Sequence, residues 1–367
     1  MPLADVLVRL FVALFGIAIS LGAGFSAVRT FVLPRSTRDP IMRFVFVRLY
    51  SLFYAAERRV TSYEWRDRIA AMYAPIGLLA LPAIWIALIT VGYTCVYWAI
   101  GVRPIYDAFT LSGSSLLTLG FERADGFGVM AISFSEATVG LMQIALIISY
   151  LPTMYSAFSK REENVSLLTV RAGSPPTALE LLLRYNRIHG IEQLNAVWPT
   201  WEVWFADLEE SHSSLAPLMF FRSPSADRSW ITAAGTILDA ASLYSSTLDL
   251  PPNPRADLCI RAGYIALRTI ADFFEIKYNP APNPGDPISI RREEFDQVYD
   301  ELAASLLPVR PDREAAWRNY AGWRVNYDTA LLGLAERLQA PYAPWTSDRG
   351  VADGLFPSRA KIDPTLE

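Results

Sequence analysis

The sequence predicts an all-α chain in two parts, an integral membrane portion followed by a water-soluble helical bundle. Three observations carry that expectation. Of 367 residues, 52% are hydrophobic and only 19% charged, with a mean hydropathy of +0.23. That is too apolar for disorder, and the repeats of collagen or a coiled coil are lacking. Charge is unevenly spread: residues 1–155 carry 12 Arg/Lys against 9 Asp/Glu, and residues 156–367 carry 21 against 28. A slightly basic, apolar front thus precedes an acidic rear. That rear reads as helical periods punctuated by proline, with no alternation of strands and helices.

Three stretches have the ~20 apolar residues needed to cross a ~30 Å hydrocarbon core. The first, 5–26, has Arg9 near its start and fits either a retained anchor or a secretory signal. The second, 75–101, has no charge, and the third, 130–158, has only Glu136. Between the first two lie Arg29, Arg35, Arg38, Arg43, Arg48, Arg58, Arg59, Arg66 and Arg68, opposed by Asp39, Glu57, Glu64 and Asp67. Between the second and third are only Arg103 and Arg123, and Lys160-Arg161 follow the third. The positive-inside rule then puts 27–74 in the cytoplasm, 102–129 outside, and the acidic rear in the cytoplasm. A cleaved signal would put the arginine-rich stretch outside, so the retained anchor is preferred. Within that stretch, 41–59 is apolar with spaced arginines, and reads either as an interfacial amphipathic helix or as a helix packed on the spans.

The segment between the second and third spans, residues 103–128, is too apolar for a solvated loop. Ile105 to Leu116 fit three helical turns, too short to span, so the chain enters the membrane and returns. Such re-entrant backbone is tolerated where protein buries it or water lines it. After this short helix come Thr118, Leu119, Gly120, Phe121 and Glu122. A dehydrated cation needs oxygens in place of its water, and backbone carbonyls aimed at one axis provide them. Gly120 allows the backbone freedom this requires, the Thr118 hydroxyl adds an oxygen, and the carboxyl end of the short helix favours a cation.

Outer helix, short helix, Thr-x-Gly-Phe and inner helix together resemble the two-transmembrane-helix pore module of bacterial potassium channels. The resemblance covers roughly residues 75–160. It implies a selectivity filter at Thr118, Leu119, Gly120, Phe121 and Glu122, a homotetramer, and potassium as the permeant ion. Glu122 departs from the family, which has a second glycine there; four such side chains would ring the outer mouth with negative charge and put strict selectivity in question. Two positions of the inner helix stand out. Gly140 is either a hinge or a close-packing site, and Pro152 is either a kink or a helix end. The intramembrane acid Glu136 hydrogen-bonds behind the filter, faces a vestibule, or lies at the interface.

Behind the membrane portion, helices are expected at 177–189, 192–212, 229–246, 255–276, 289–306 and 311–339, forming an all-α bundle. Glu209, Glu210 and His212 read as a surface acid pair beside a helix-end histidine. Trp198, Trp201, Trp204 and Phe205 share a helix face, favouring core packing or a subunit interface. Arg222 is expected to pair with an acid or an anion, and Arg255, Arg261 and Arg268 to form a solvated stripe. The tail after Pro341, with Pro344 and Pro357, reads as extended and weakly ordered.

The domains so read are an anchor (1–26), an arginine-rich linker (27–74), a pore module (75–160), a helical cytoplasmic domain (161–340) and a tail (341–367). Cys95 and Cys259 make no disulfide framework, and His189 and His212 are too few for a histidine metal site. The acidic rear argues against nucleic acid. With no phosphate loop, activated nucleophile or cofactor motif, an enzyme is not expected. The expected function is a tetrameric inner- or plasma-membrane cation channel of potassium type, with membrane lipids as partners and no ligand legible for its cytoplasmic domain. The rivals are a non-selective cation channel and a non-conducting membrane-anchored sensor or scaffold.

Overall fold

The computed structural model describes residues 3–31, 39–123, 125–188 and 190–350. Expectations placed on Arg35, Arg38, His189 and Pro357 lie outside the described residues. Among the described residues the regular elements are helical, apart from an isolated antiparallel bridge between Leu248 and Val309. The chain divides into two compact units between Ser156 and Ala157.

The first unit contains α1 (Leu3–Phe31), α2 (Pro40–Glu57), α3 (Tyr63–Ile100), α4 (Ile105–Leu116) and the start of α5 (Phe127–Ala172). Helices α1, α3 and α5 are each long and apolar enough to cross a membrane. Small residues let α1 and α3 approach closely: a methyl on Gly16 would lie 2.4 Å from Gly92 O, and one on Gly92 2.6 Å from Gly16 O. Trp85 Nε1 donates to Ser26 Oγ (2.9 Å), so the two helices run antiparallel. Ser26 Oγ in turn donates to Asp39 Oδ1 (2.7 Å), and Asp39 caps α2 by accepting from Met42 N (2.9 Å).

The arginine-bearing stretch 41–59 folds as α2 and lays one face on α3. Val45 and Phe46 are buried, the Phe46 ring fills the space above Gly77, and Tyr73 Oη donates to Phe46 O (3.1 Å). Helix α5 does not end at Pro152 but runs to Ala172. Loss of one amide at Pro152 is outweighed by the helical turns on either side.

The second unit is a helical bundle of α6 (Ala178–Ile188), α7 (Val197–Ser214), α8 (Trp230–Thr247), α9 (Pro254–Phe273), α10 (Arg292–Ala304), α11 (Arg313–Arg324) and α12 (Asp328–Leu338). Helix α8 is buried on almost every side and forms the centre. Trp198, Trp201, Trp204 and Phe205 all lie in the core around it.

Three expectations are corrected here. The helix expected at 192–212 opens as a 3-10 turn, Ile191–Ala196, and becomes α-helical at Val197, which leaves Pro199 in the first turn, where its missing amide costs nothing. The single helix expected at 311–339 is two, broken at residues 325–327, and the break turns Tyr327 and Asp328 inward to a buried ion-pair network. The tail is not loose up to residue 350: Ala343 and Thr346 are buried, and Trp345 O accepts from Arg324 Nη2 (2.7 Å).

Candidate functional site

Helix α4 has 12 residues and is about 18 Å long, so it cannot cross a bilayer. Neighbours hold it on two sides. Toward α3, Ala108 and Leu111 form a buried cluster with Tyr97, and Ser112 Oγ lies 3.1 Å from Thr90 O. Toward α5, Ser115 Oγ and Ser133 Oγ are 2.7 Å apart, and Leu116 O rests on the backbone of Gly140. A methyl on Gly140 would stand 2.0 Å from that carbonyl oxygen, so this position is one of close packing. Gly140 lies about 20 Å along α5 from Phe127. If α5 crosses the bilayer from its first turn, α4 ends about two thirds of the way into the ~30 Å hydrocarbon layer.

Glu136 is placed inside the packed helices rather than at an exposed boundary. The residue is fully buried; Tyr97 Oη donates to its Oε2 (2.8 Å) and Ser112 Oγ to its Oε1 (2.5 Å). One carboxyl group on α5 therefore ties together α3 and α4.

That segment has a one-sided hydrogen-bond pattern. Leu117 N donates to Gly113 O (3.1 Å), Thr118 N to Ser115 O (3.1 Å), Leu119 N to Ser114 O (2.9 Å) and Gly120 N to Ser114 O (3.4 Å). Glu122 N donates to Ser114 Oγ (3.1 Å). In a planar trans peptide the C=O points opposite to the N–H. The carbonyls of Leu117, Thr118, Leu119 and Phe121 therefore point away from α4, and they accept no hydrogen bond among the described residues. Thr118 (φ +56°) and Gly120 (φ +70°) both have left-handed backbone. For glycine this costs nothing; for a β-branched threonine it costs about 1–3 kcal/mol, a strain typical of functional sites. Residues 117–123 are all exposed on the isolated chain. The turn thus presents a short ladder of bare carbonyl oxygens, with Glu122 beside its outer end and the negative end of the α4 dipole at its base.

The features read in the second unit resolve into structural roles. His212 is not on the surface: it is fully buried, its ring tilted against that of Trp230, with Nδ1 2.9 Å from Leu208 O and Nε2 3.3 Å from Arg161 Nη1. With Nδ1–H donating to the carbonyl, Nε2 is free to accept from Arg161, and the ring is neutral. Burial, reinforced by the Arg161 charge, holds its pKa well below the usual histidine value. Arg161 is itself buried and donates to Leu218 O (3.0 Å) and Phe221 O (2.7 Å), with Glu162 as counter-ion at 2.8 Å. Glu209 accepts from Thr269 Oγ1 (3.1 Å) and Glu210 from Ser214 Oγ (3.0 Å). Arg222 Nη2 donates to Leu338 O (2.9 Å), in the C-terminal turn of α12. Arg268 is not merely solvated: its Nε donates to Asn326 O (2.8 Å).

Sequence reading missed the buried cluster at the heart of the bundle. Arg324 Nη1 lies 2.7 and 2.8 Å from the two oxygens of Asp239, its Nε donates to Asp328 Oδ1 (2.7 Å), and Tyr327 Oη donates to Asp239 (2.8 Å). Arg324 and Asp328 at i, i+4 gave a weak signal, but nothing in the sequence points to Asp239 as their partner.

Comparison of the chain with protein-family models, with curated proteins and with solved structures gives no match.

Proposed function

We propose that the chain is one quarter of a tetrameric cation channel that passes potassium passively, with residues 118–121 as its filter and its second unit in the cytoplasm. The observation that carries this reading is the one-sided amide pattern of residues 117–122. Carbonyls left bare in hydrocarbon are costly, so a turn at that depth has to face water or ions. A ring of such carbonyls replaces an ion's hydration shell. One chain provides one side of the ring, and four-fold closure provides the rest. Glu136, Tyr97 and Ser112 act as positioning residues behind the filter, and Gly140 sets the depth of α4. The second unit assembles the tetramer or biases α5.

The exposed Glu122 favours a second reading in the same class, a cation channel that does not discriminate strictly. Flux from liposomes holding the purified chain, under a potassium gradient and then a sodium gradient, separates the two. Potassium flux alone supports the selective filter, and equal fluxes support the second reading. A protein that stays monomeric or dimeric and passes neither ion overturns both, and leaves a membrane-anchored scaffold.

A further inference from the structure

We infer that α2 and the first turns of α3 form an interfacial surface that binds the anionic phosphate headgroups of the bilayer. Helix α2 has apolar side chains on two faces. One face, with Val45 and Phe46, is buried on α3. The opposite face carries Phe44, Val47, Arg48, Ser51, Leu52 and Ala55, at the spacings of one helical stripe, all exposed. Phe44, Val47 and Leu52 are 61%, 55% and 67% exposed, a patch that water does not favour.

The charges are sorted by side. Three of the four acids of residues 39–68, namely Asp39, Glu57 and Asp67, are buried, and only Glu64 is exposed. Arg43, Arg48, Arg58, Arg59 and Arg68 are exposed. Residues 39–68, with six arginines against four acids, therefore show a more positive surface than their formal charge gives. Three of these arginines lie over exposed aromatic rings: Arg48 over Phe44 (5.3 Å), Arg58 over Tyr54 (6.0 Å) and Arg68 over Trp65 (5.0 Å). Apolar bodies beside guanidinium groups suit the boundary between acyl chains and headgroups.

Helix α3 gives the depth. At 38 residues it is about 57 Å long, against a hydrocarbon core of ~30 Å. Its first dozen residues, which carry Glu64, Arg66, Asp67 and Arg68, extend past the core, and α2 lies against the end of that stretch at Tyr73 and just beyond it at Gly77. The apolar stripe of α2 enters the acyl boundary and the arginines meet phosphate. A basic residue held at an anionic membrane surface raises binding about fivefold.

The test uses the full chain purified in detergent, with retained lipid counted by native mass spectrometry after adding phosphatidylglycerol or phosphatidylcholine. The expected result is at least tenfold preference for phosphatidylglycerol, lost at about 1 M salt, where the screening length is about 3 Å. The fivefold variant R43Q/R48Q/R58Q/R59Q/R68Q is expected to lose the preference and keep weak retention of both lipids. Leu52→Ser is expected to lower retention of both lipids equally. Equal retention by the natural chain, or a preference untouched by salt, overturns the proposal and leaves the stripe to a second copy of the chain. These readouts do not depend on ion flux, so they stand or fall apart from the channel reading.

Discussion

Glu122 and His212 show how much one side chain decides. Glu122 lies exposed at the outer end of the carbonyl ladder, and its amide is held by Ser114 Oγ. Replacing it with glycine frees the outermost backbone position and removes four charges from the proposed mouth. Glu122→Gly is expected to raise the potassium-to-sodium flux ratio about tenfold or more, measured in the liposome assay; an unchanged ratio would separate Glu122 from selectivity. His212 makes a prediction for the second unit. Its folded pKa is depressed, so above about pH 6.5 both folded and unfolded chains are neutral there and stability is full. Below that pH the unfolded chain takes up a proton that the folded chain refuses, and stability falls by about 1.4 kcal/mol per pH unit until the folded pKa is reached. Unfolding followed by tryptophan fluorescence between pH 7.5 and 5.5 should show this slope, and His212→Gln, which can still accept from Arg161, should flatten it. Neither the burial of His212 nor that of Arg161 was legible in the sequence, because a histidine beside Glu209-Glu210 and an arginine after Lys160 both look like surface. Their partners, Leu208 O, Leu218 O and Phe221 O, are backbone atoms, and no residue type announces them.

Elements were far more legible than side-chain partners. The short helix expected at Ile105 to Leu116 is α4 with those bounds, because Pro104 starts it and the left-handed Thr118 prevents it from continuing. The three apolar stretches are α1, α3 and α5, each longer than its apolar run, since helices extend past the bilayer when packing supports them. The split between α11 and α12 was missed because local propensity carries straight through Val325-Asn326-Tyr327. The burial of Tyr327 and Asp328 against Asp239 and Arg324 overrides it. The contact between α4 and α5 makes a prediction at the same scale. Gly140 leaves no room for a methyl against Leu116 O, and that oxygen belongs to a backbone that cannot rotate away. Gly140→Ala should push α4 outward, cost about 1–3 kcal/mol of stability, and lower potassium flux at least tenfold. Thermal unfolding and flux on the same preparation check it. A stable protein with full flux would show that the proposed filter tolerates displacement of α4.

For the whole molecule, the exposed apolar side chains of α5 are informative. Phe127, Phe134, Leu141, Ile148 and Tyr155 recur every seven residues, all exposed on the isolated chain. A stripe with this period is the seam along which helices supercoil with left-handed crossing, so it suits four α5 helices gathered around one axis as well as it suits lipid. The same closure would bring four copies of residues 117–121 together, and it turns ion binding into a stability measurement. An ion held between four chains binds the assembled state and not the separated chains, so it stabilises the assembly in proportion to the logarithm of its concentration, about 2.7 kcal/mol at one hundred times its dissociation constant. The dissociation temperature of the purified assembly should therefore rise with potassium at constant ionic strength and much less with sodium. Gly120→Val, which places a β-branched residue at a left-handed position, should remove the difference. Equal stabilisation by both ions would leave the ring in place and assign it to the non-selective reading. An assembly indifferent to either ion would deny that the carbonyls of residues 118–121 hold a cation at all.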